Sequence, residues 1–204
     1  MKIIINITLF MLGLPAIPAV ASASILILYT FDDANGFTPE AEYSDPQIEF
    51  ASAWESSGIL RNFAGESGQA IAHNGDNVFS FNLEVSPGYG LNLDSLGFWA
   101  RRSSAGSTDW IFSVNGTPKA TGIDMSEASE GVQFSNVLLE PEITEPLSGE
   151  VLFTLETLGA VSGTGTFRVD NFKLYGSVSP IPEPGAFALL AGLITFAFVV
   201  RRRQ

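Results

Sequence analysis

The 204-residue chain has no cysteine and a single histidine, His73. Without a thiol or a second imidazole, disulfide staples, thiol catalysis and a histidine-rich metal centre are excluded. Bases are scarce: 10 Lys and Arg stand against 22 Asp and Glu, a formal net charge of −12. Lys2, Arg201, Arg202 and Arg203 lie in the two end segments, so the part between holds six bases against 21 acids, a net charge near −15. Such a surface repels nucleic acid and anionic headgroups. It tolerates cations and neutral glycans, and it also keeps a protein in solution. Long helical periodicity is missing as well: nothing between Ser24 and Pro180 repeats its apolar residues at 3.6.

What is present is clearest at the two ends. Met1-Lys2 opens a short positive region, Ile3 to Leu14 is apolar, and Ala21-Ser22-Ala23 is a small-x-small cleavage site. This pattern reads as a secretory signal helix over residues 1–23, removed near Ala23 by signal peptidase after passage through the general secretion machinery. The other end reads Pro182-Glu183-Pro184, then an apolar run from Gly185 to Val200, then Arg201-Arg202-Arg203-Gln204. Sixteen residues make a helix of about 24 Å, short against a hydrocarbon core of about 30 Å. Thinning of the bilayer lets such a helix span, and guanidinium groups at its end stop it. The positive-inside rule keeps the arginines cytoplasmic and places everything before Pro182 across the membrane. Pro182 and Pro184 hold the motif extended and open to an enzyme.

The order Pro182-Glu183-Pro184, apolar helix, arginine cluster resembles the PEP-CTERM sorting signal of Gram-negative bacteria, over residues 182–204. The resemblance implies an exosortase-type sorting enzyme as partner, a membrane-embedded transpeptidase. It also implies delivery to the cell envelope, cell surface or extracellular space after a transient inner-membrane anchor, and work alongside exopolysaccharide in biofilm structure.

Between the ends the period is two. Phe79, Phe81, Leu83 and Val85 alternate with Ser80, Asn82 and Glu84; Val151, Phe153 and Leu155 alternate with Leu152, Thr154 and Glu156. These are half-buried strands. Trp110, Phe112 and Val114 form another, closed by Asn115-Gly116, a dipeptide suited to a turn with positive φ. Further strands are expected at Ile25 to Phe31, Gln69 to His73, Leu91 to Arg102, Gln133 to Leu138 and Thr166 to Tyr175. Eight or nine short strands predict an all-β domain over residues 24–176: a two-sheet antiparallel β-sandwich, jelly-roll-like, with the first strand near the last. Residues 177–181 read as a polar, proline-bearing linker to the sorting segment. Apolar parity slips between Leu93 and Leu96 and between Val169 and Phe172, which predicts β-bulges near Asp94-Ser95 and Asp170-Asn171.

Candidate sites follow from this layout. Asp32 and Asp33 end the first strand, and Asp170 and Asn171 lie in the last. The placing of these acids is loosely similar to that in carbohydrate-binding jelly rolls, where a structural calcium is shared between such strands. The similarity implies calcium as a candidate cofactor, and these residues supply part of the six to eight oxygens it needs. Turn and strand-end capping is the alternative use of the same side chains. Trp54, Trp99, Trp110, Tyr43 and Tyr89 suit stacking on sugar rings where exposed. Trp99 has opposite parity to Phe98 and adjoins Arg101 and Arg102, so these three form the candidate ligand site, with polysaccharide as partner; the alternative is that the aromatics fill the core or its lid and the two arginines pair with surrounding acids. No catalytic motif marks the chain. The leading reading is a non-catalytic exported surface or matrix protein; the alternative is a secreted glycan hydrolase or lyase acting through a carboxylate pair.

Overall fold

The computed structural model describes residues 24–33, 36–122 and 131–182. The signal helix, the apolar helix 185–200, Glu183, Pro184, Arg201, Arg202 and Arg203 lie outside the described residues. In chain order the strands are β1 (Ser24–Tyr29), β2 (Asp32–Asp33), β3 (Gly36–Phe37), β4 (Tyr43–Ser44), β5 (Ile48–Ala51), β6 (Glu55–Ser56), β7 (Arg61–Ala64), β8 (Gln69–Asn74), β9 (Val78–Val85), β10 (Tyr89–Arg102), β11 (Asp109–Val114), β12 (Thr117–Gly122), β13 (Val132–Leu138), β14 (Gly149–Leu158) and β15 (Thr166–Pro180). Among the described residues no helix is long and apolar enough to cross a membrane.

Two antiparallel sheets face each other. One has seven strands, ordered β13-β10-β15-β1-β4, with β8 also paired to β15 and β7 to β8; the other has six, ordered β12-β11-β14-β9-β5, with β6 on β9. β15 carries β10 along one edge and β8 then β1 along the other, so the first and last strands are neighbours as expected. The hairpin at Asn115-Gly116 joins β11 to β12, with φ of 49° and 76° at its two central residues.

Both expected bulges are present. The β10–β15 register shifts between Leu93 and Ser95 and again between Gly97 and Trp99, and Asn171 has φ 50°. These slips bring Leu91, Leu93, Leu96 and Phe98 from β10, and Phe167, Val169, Phe172 and Leu174 from β15, into one core despite the parity change. Phe79, Phe81, Phe112 and Phe153 meet them from the six-stranded sheet.

The linker expectation is corrected. Ser177 to Pro180 continue β15 and pair with Tyr89 to Asn92, and the Ile181 N–H donates to the Gly88 carbonyl at 2.8 Å. A polar proline-containing stretch reads as a linker by composition, but an antiparallel partner satisfies its backbone and holds it in the sheet.

Candidate functional site

Residues of the first strand region and the last strand converge on one tight turn. β7 and β8 form a hairpin whose tip runs from Gly65 to Gly68, and this tip folds back over two carboxylates. Asp170 Oδ2 accepts the Glu66 N–H at 2.8 Å and the Ser67 N–H at 3.5 Å, while its Oδ1 accepts the Asn171 N–H at 2.7 Å. Asp32 Oδ1 accepts the Gln69 N–H at 2.7 Å. The Asn171 amide donates to Glu66 Oε2 at 3.1 Å. Small residues make the approach possible: a Cβ at Gly65 would overlap the Asp170 carboxylate, and one at Gly68, where φ is +87°, would overlap that of Asp32.

Asp170 is fully buried. Burial pushes its carboxyl up to about 6; the N–H bonds from Glu66, Asn171 and Ser67 oppose the rise, and the nearby Asp32 adds to it. Its removal should therefore be felt locally. Asp170→Ala leaves the amides of Glu66 and Asn171 without this acceptor, an expected cost of about 1–2 kcal/mol. Hydrogen exchange at the Glu66 amide should accelerate in that variant; an unchanged rate would show that the turn is held by something else.

Of the four expected calcium ligands, Asp32, Asp170 and Asn171 are brought to this turn, while the side chain of Asp33 lies outside the described residues. Both Asp170 oxygens and Asp32 Oδ1 accept backbone N–H groups, and among the described residues no group of three or more His, Cys, Asp or Glu is placed to hold a metal. The pair Asp32 and Asp170 fits part of a calcium shell and does not complete one.

The expected ligand trio is corrected. Trp99 does point away from the sandwich interior, but it is 4% exposed, with the Gly131 backbone lying on its indole. Trp54 and Trp110 are 2% and 1% exposed and fill the core, so none of the three tryptophans offers a face to a sugar. Arg101 faces Arg168 across the β10–β15 ladder. Arg102 donates to the carbonyls of Ser103, Ser104 and Gly106 and so ties down the turn after β10. Parity identifies which face a side chain leaves from and says nothing of what later covers it. Of the five aromatics singled out, Tyr43 is exposed and Tyr89 half-buried.

His73 is packed at the end of the sandwich. It lies between Phe79, at 4.3 Å between ring centroids, and Phe167, at 6.2 Å. Its Nε2 is 3.3 Å from Thr157 Oγ1, and its Nδ1 has no partner. Ser107, also buried, donates within reach of Thr157 Oγ1, Asp76 Oδ1 and the Gly75 carbonyl. Ser107 and His73 are buried and meet only through Thr157 Oγ1, while Asp76 reaches the Ser107 hydroxyl from the exposed side.

The outer face of the seven-stranded sheet holds what sequence reasoning missed. Beside the Asp170 turn lies a polar cleft of ≈ 360 Å³, lined by Glu66, Gly97, Gln133, Phe134, Ser135, Asn171, Lys173 and Tyr175. A glycine interrupting the strand between Leu96 and Phe98 was the available signal.

No protein-family profile matches the chain, and no curated protein matches it. Solved structures do resemble it. A CBM61 module in complex with β-1,4-galactotriose has 18% identity and a TM-score of 0.36 over 61% of this chain and 88% of the module. The CBM22-1 xylan-binding domain of Paenibacillus barcinonensis Xyn10C has 13% identity and a TM-score of 0.41 over 78% of this chain and 97% of that domain. A family two carbohydrate esterase from Cellvibrio japonicus has 10% identity and a TM-score of 0.40 over 79% of this chain and 37% of the esterase. At these values the likeness assigns neither ligand nor activity.

Proposed function

We propose that the chain is an exported surface or extracellular-matrix protein, sorted through its C-terminal segment and presenting a non-catalytic β-sandwich to polysaccharide. The observation that carries this reading is the way the fold meets the address. β15 runs to Pro180, Ile181 still bonds the Gly88 carbonyl, and the exposed Pro182 begins the motif one residue later. A sorting enzyme that took Pro182, Glu183 and Pro184 would hand over a finished domain rather than a chain end on a flexible tether.

The test is the intact mass of material released from the cell surface. Loss of residues 1–23 and of the apolar tail, with or without a group attached at the new C-terminus, is expected. Cytosolic protein retaining Met1 and Gln204 would sink the reading.

Calcium belongs to the same proposal. Two adjacent carboxylates, one of them buried, gain from a divalent cation. Millimolar calcium is expected to raise the melting midpoint of the wild-type domain and to leave Asp170→Asn unmoved. Equal midpoints in calcium and in chelator would remove the ion.

The hydrolase or lyase alternative finds a directly opposed carboxylate pair in Glu84 and Glu150, cross-strand neighbours on β9 and β14. Both are exposed, on the outer face of the six-stranded sheet. An acid catalyst working near neutral pH needs a desolvated carboxyl, which this placing does not provide.

A further inference from the structure

We propose that the polar cleft over Gly97 is a subsite for one neutral sugar unit of a polysaccharide; this rests on the polysaccharide-presenting reading above and gives it a place and a ligand chemistry.

Gly97 lines the cleft, and the Phe134 carbonyl approaches it too closely for a larger side chain to fit easily. Gly97 is at the same parity as Trp99 and therefore on the outer face of β10. Its φ is not in the left-handed region, so backbone conformation does not demand glycine there. A Cβ at this position would come within 3.2 Å of the Phe134 carbonyl oxygen and 3.6 Å of Tyr175 Cε2. Glycine inside a strand is costly and often marks a close approach by something else. On the β13 side the ladder is also opened: the register shifts between Leu96 and Phe98, and Asn136 has φ 51°. On the β15 side the bulge at Asn171 turns that amide toward Glu66. Two independent irregularities thus flank Gly97.

The lining has the composition a polyhydroxyl ligand needs. The amides of Gln133 and Asn171 each spend one N–H, on the Phe134 carbonyl and on Glu66, and each keeps a second N–H and an acceptor; Lys173 donates, Glu66 accepts, and the Tyr175 ring lines the cleft. A volume of ≈ 360 Å³ is at the lower end of the range, about 300–1,000 Å³, that small ligands occupy. Charge selects among glycans. Lys173 and Glu66 balance within the cleft, while the domain as a whole is near −15. An anionic polymer is repelled on approach, and a neutral one is not.

The test is native affinity electrophoresis of the folded domain through gels holding a neutral β-1,4-glucan, a neutral β-1,4-galactan or anionic polygalacturonate. Retardation by a neutral polymer is expected, little changed by added salt. The Gln133→Ala/Lys173→Ala double variant alters two outer-face side chains and should keep the wild-type melting midpoint. Its binding is expected to weaken about tenfold or more, the loss of one to two hydrogen bonds. Tyr175→Ala should weaken it similarly. Retardation unchanged in both variants would overturn the cleft and leave polysaccharide binding standing elsewhere. Wild-type protein retarded by none of the three polymers would overturn both. Preferential retardation by polygalacturonate would overturn the neutral-sugar assignment.

Discussion

Trp54→Ala is expected to lower the unfolding free energy of the domain by about 4 kcal/mol, the scale seen when a large aromatic is removed from a packed core. Trp54 sits between β5 and β6, its N–H bonded to the Pro39 carbonyl at 3.0 Å. Its indole stacks on Phe81 at 5.0 Å and meets Tyr29, Phe31, Phe79 and Phe172 edge-on or nearly so, at 5.0–5.7 Å. These rings come from both sheets, so the tryptophan closes one side of the sandwich. Its indole N–H has no partner, so Trp54→Phe loses packing and no hydrogen bond. That variant should cost less, about 1–2 kcal/mol. Denaturant titration reads both. A domain of this size has about 5–15 kcal/mol in total, so the alanine variant should also accumulate poorly. An unmoved midpoint would mean that the ring cluster is not the keystone described.

The second large effect is on the dependence of stability on pH. Burial pulls the His73 imidazole down to about 4, against the opposing pull of the Gly75 backbone and Asp76. The folded protein therefore holds His73 neutral where the unfolded chain, titrating near 6.5, takes up a proton. Stability from this residue is complete above about pH 6.5 and is lost as the pH falls toward 4, by up to about 3 kcal/mol. Asp170 works the other way: its folded carboxyl titrates near 6, so its contribution grows as the pH falls from there. The two oppose each other in the wild type, and the difference between wild type and His73→Gln isolates the histidine. Unfolding free energies at pH 7 and pH 4.5 should draw together or cross, because the variant escapes the acid loss. Parallel curves would show that His73 takes up its proton over the same pH range in the fold as in the unfolded chain.

Much of the sheet arrangement was legible because its determinants are local. Alternating Phe79, Phe81, Leu83 and Val85 can bury one face only as a strand. The parity slip between Leu93 and Leu96, and again between Val169 and Phe172, can be reconciled with one core only by a bulge. Asn115-Gly116 specifies its own turn. The extension of β15 through Pro180 was hidden for the converse reason. Nothing in Ser177 to Pro180 signals a strand, and only the partner Tyr89 to Asn92 makes it one.

The candidate site was legible in part. Asp32 and Asp170 were singled out by their places in the first strand region and the last strand, and those regions do meet. What joins them, the turn from Gly65 to Gly68, carries no signal beyond being a turn. Trp99 was read on the correct face, and its two uses, stacking on a sugar or lidding the core, could not be told apart, because the Gly131 backbone that covers it is distant in sequence.

Side-chain period and turn chemistry, which are properties of neighbouring residues, determined that this protein is built of paired strands with their faces and bulges in set positions. Which carboxylates share a turn, which indoles are covered and where the outer face of a sheet opens into a cleft were decided only by tertiary structure. Each of those depends on backbone brought in from another strand, and no short window of sequence contains it.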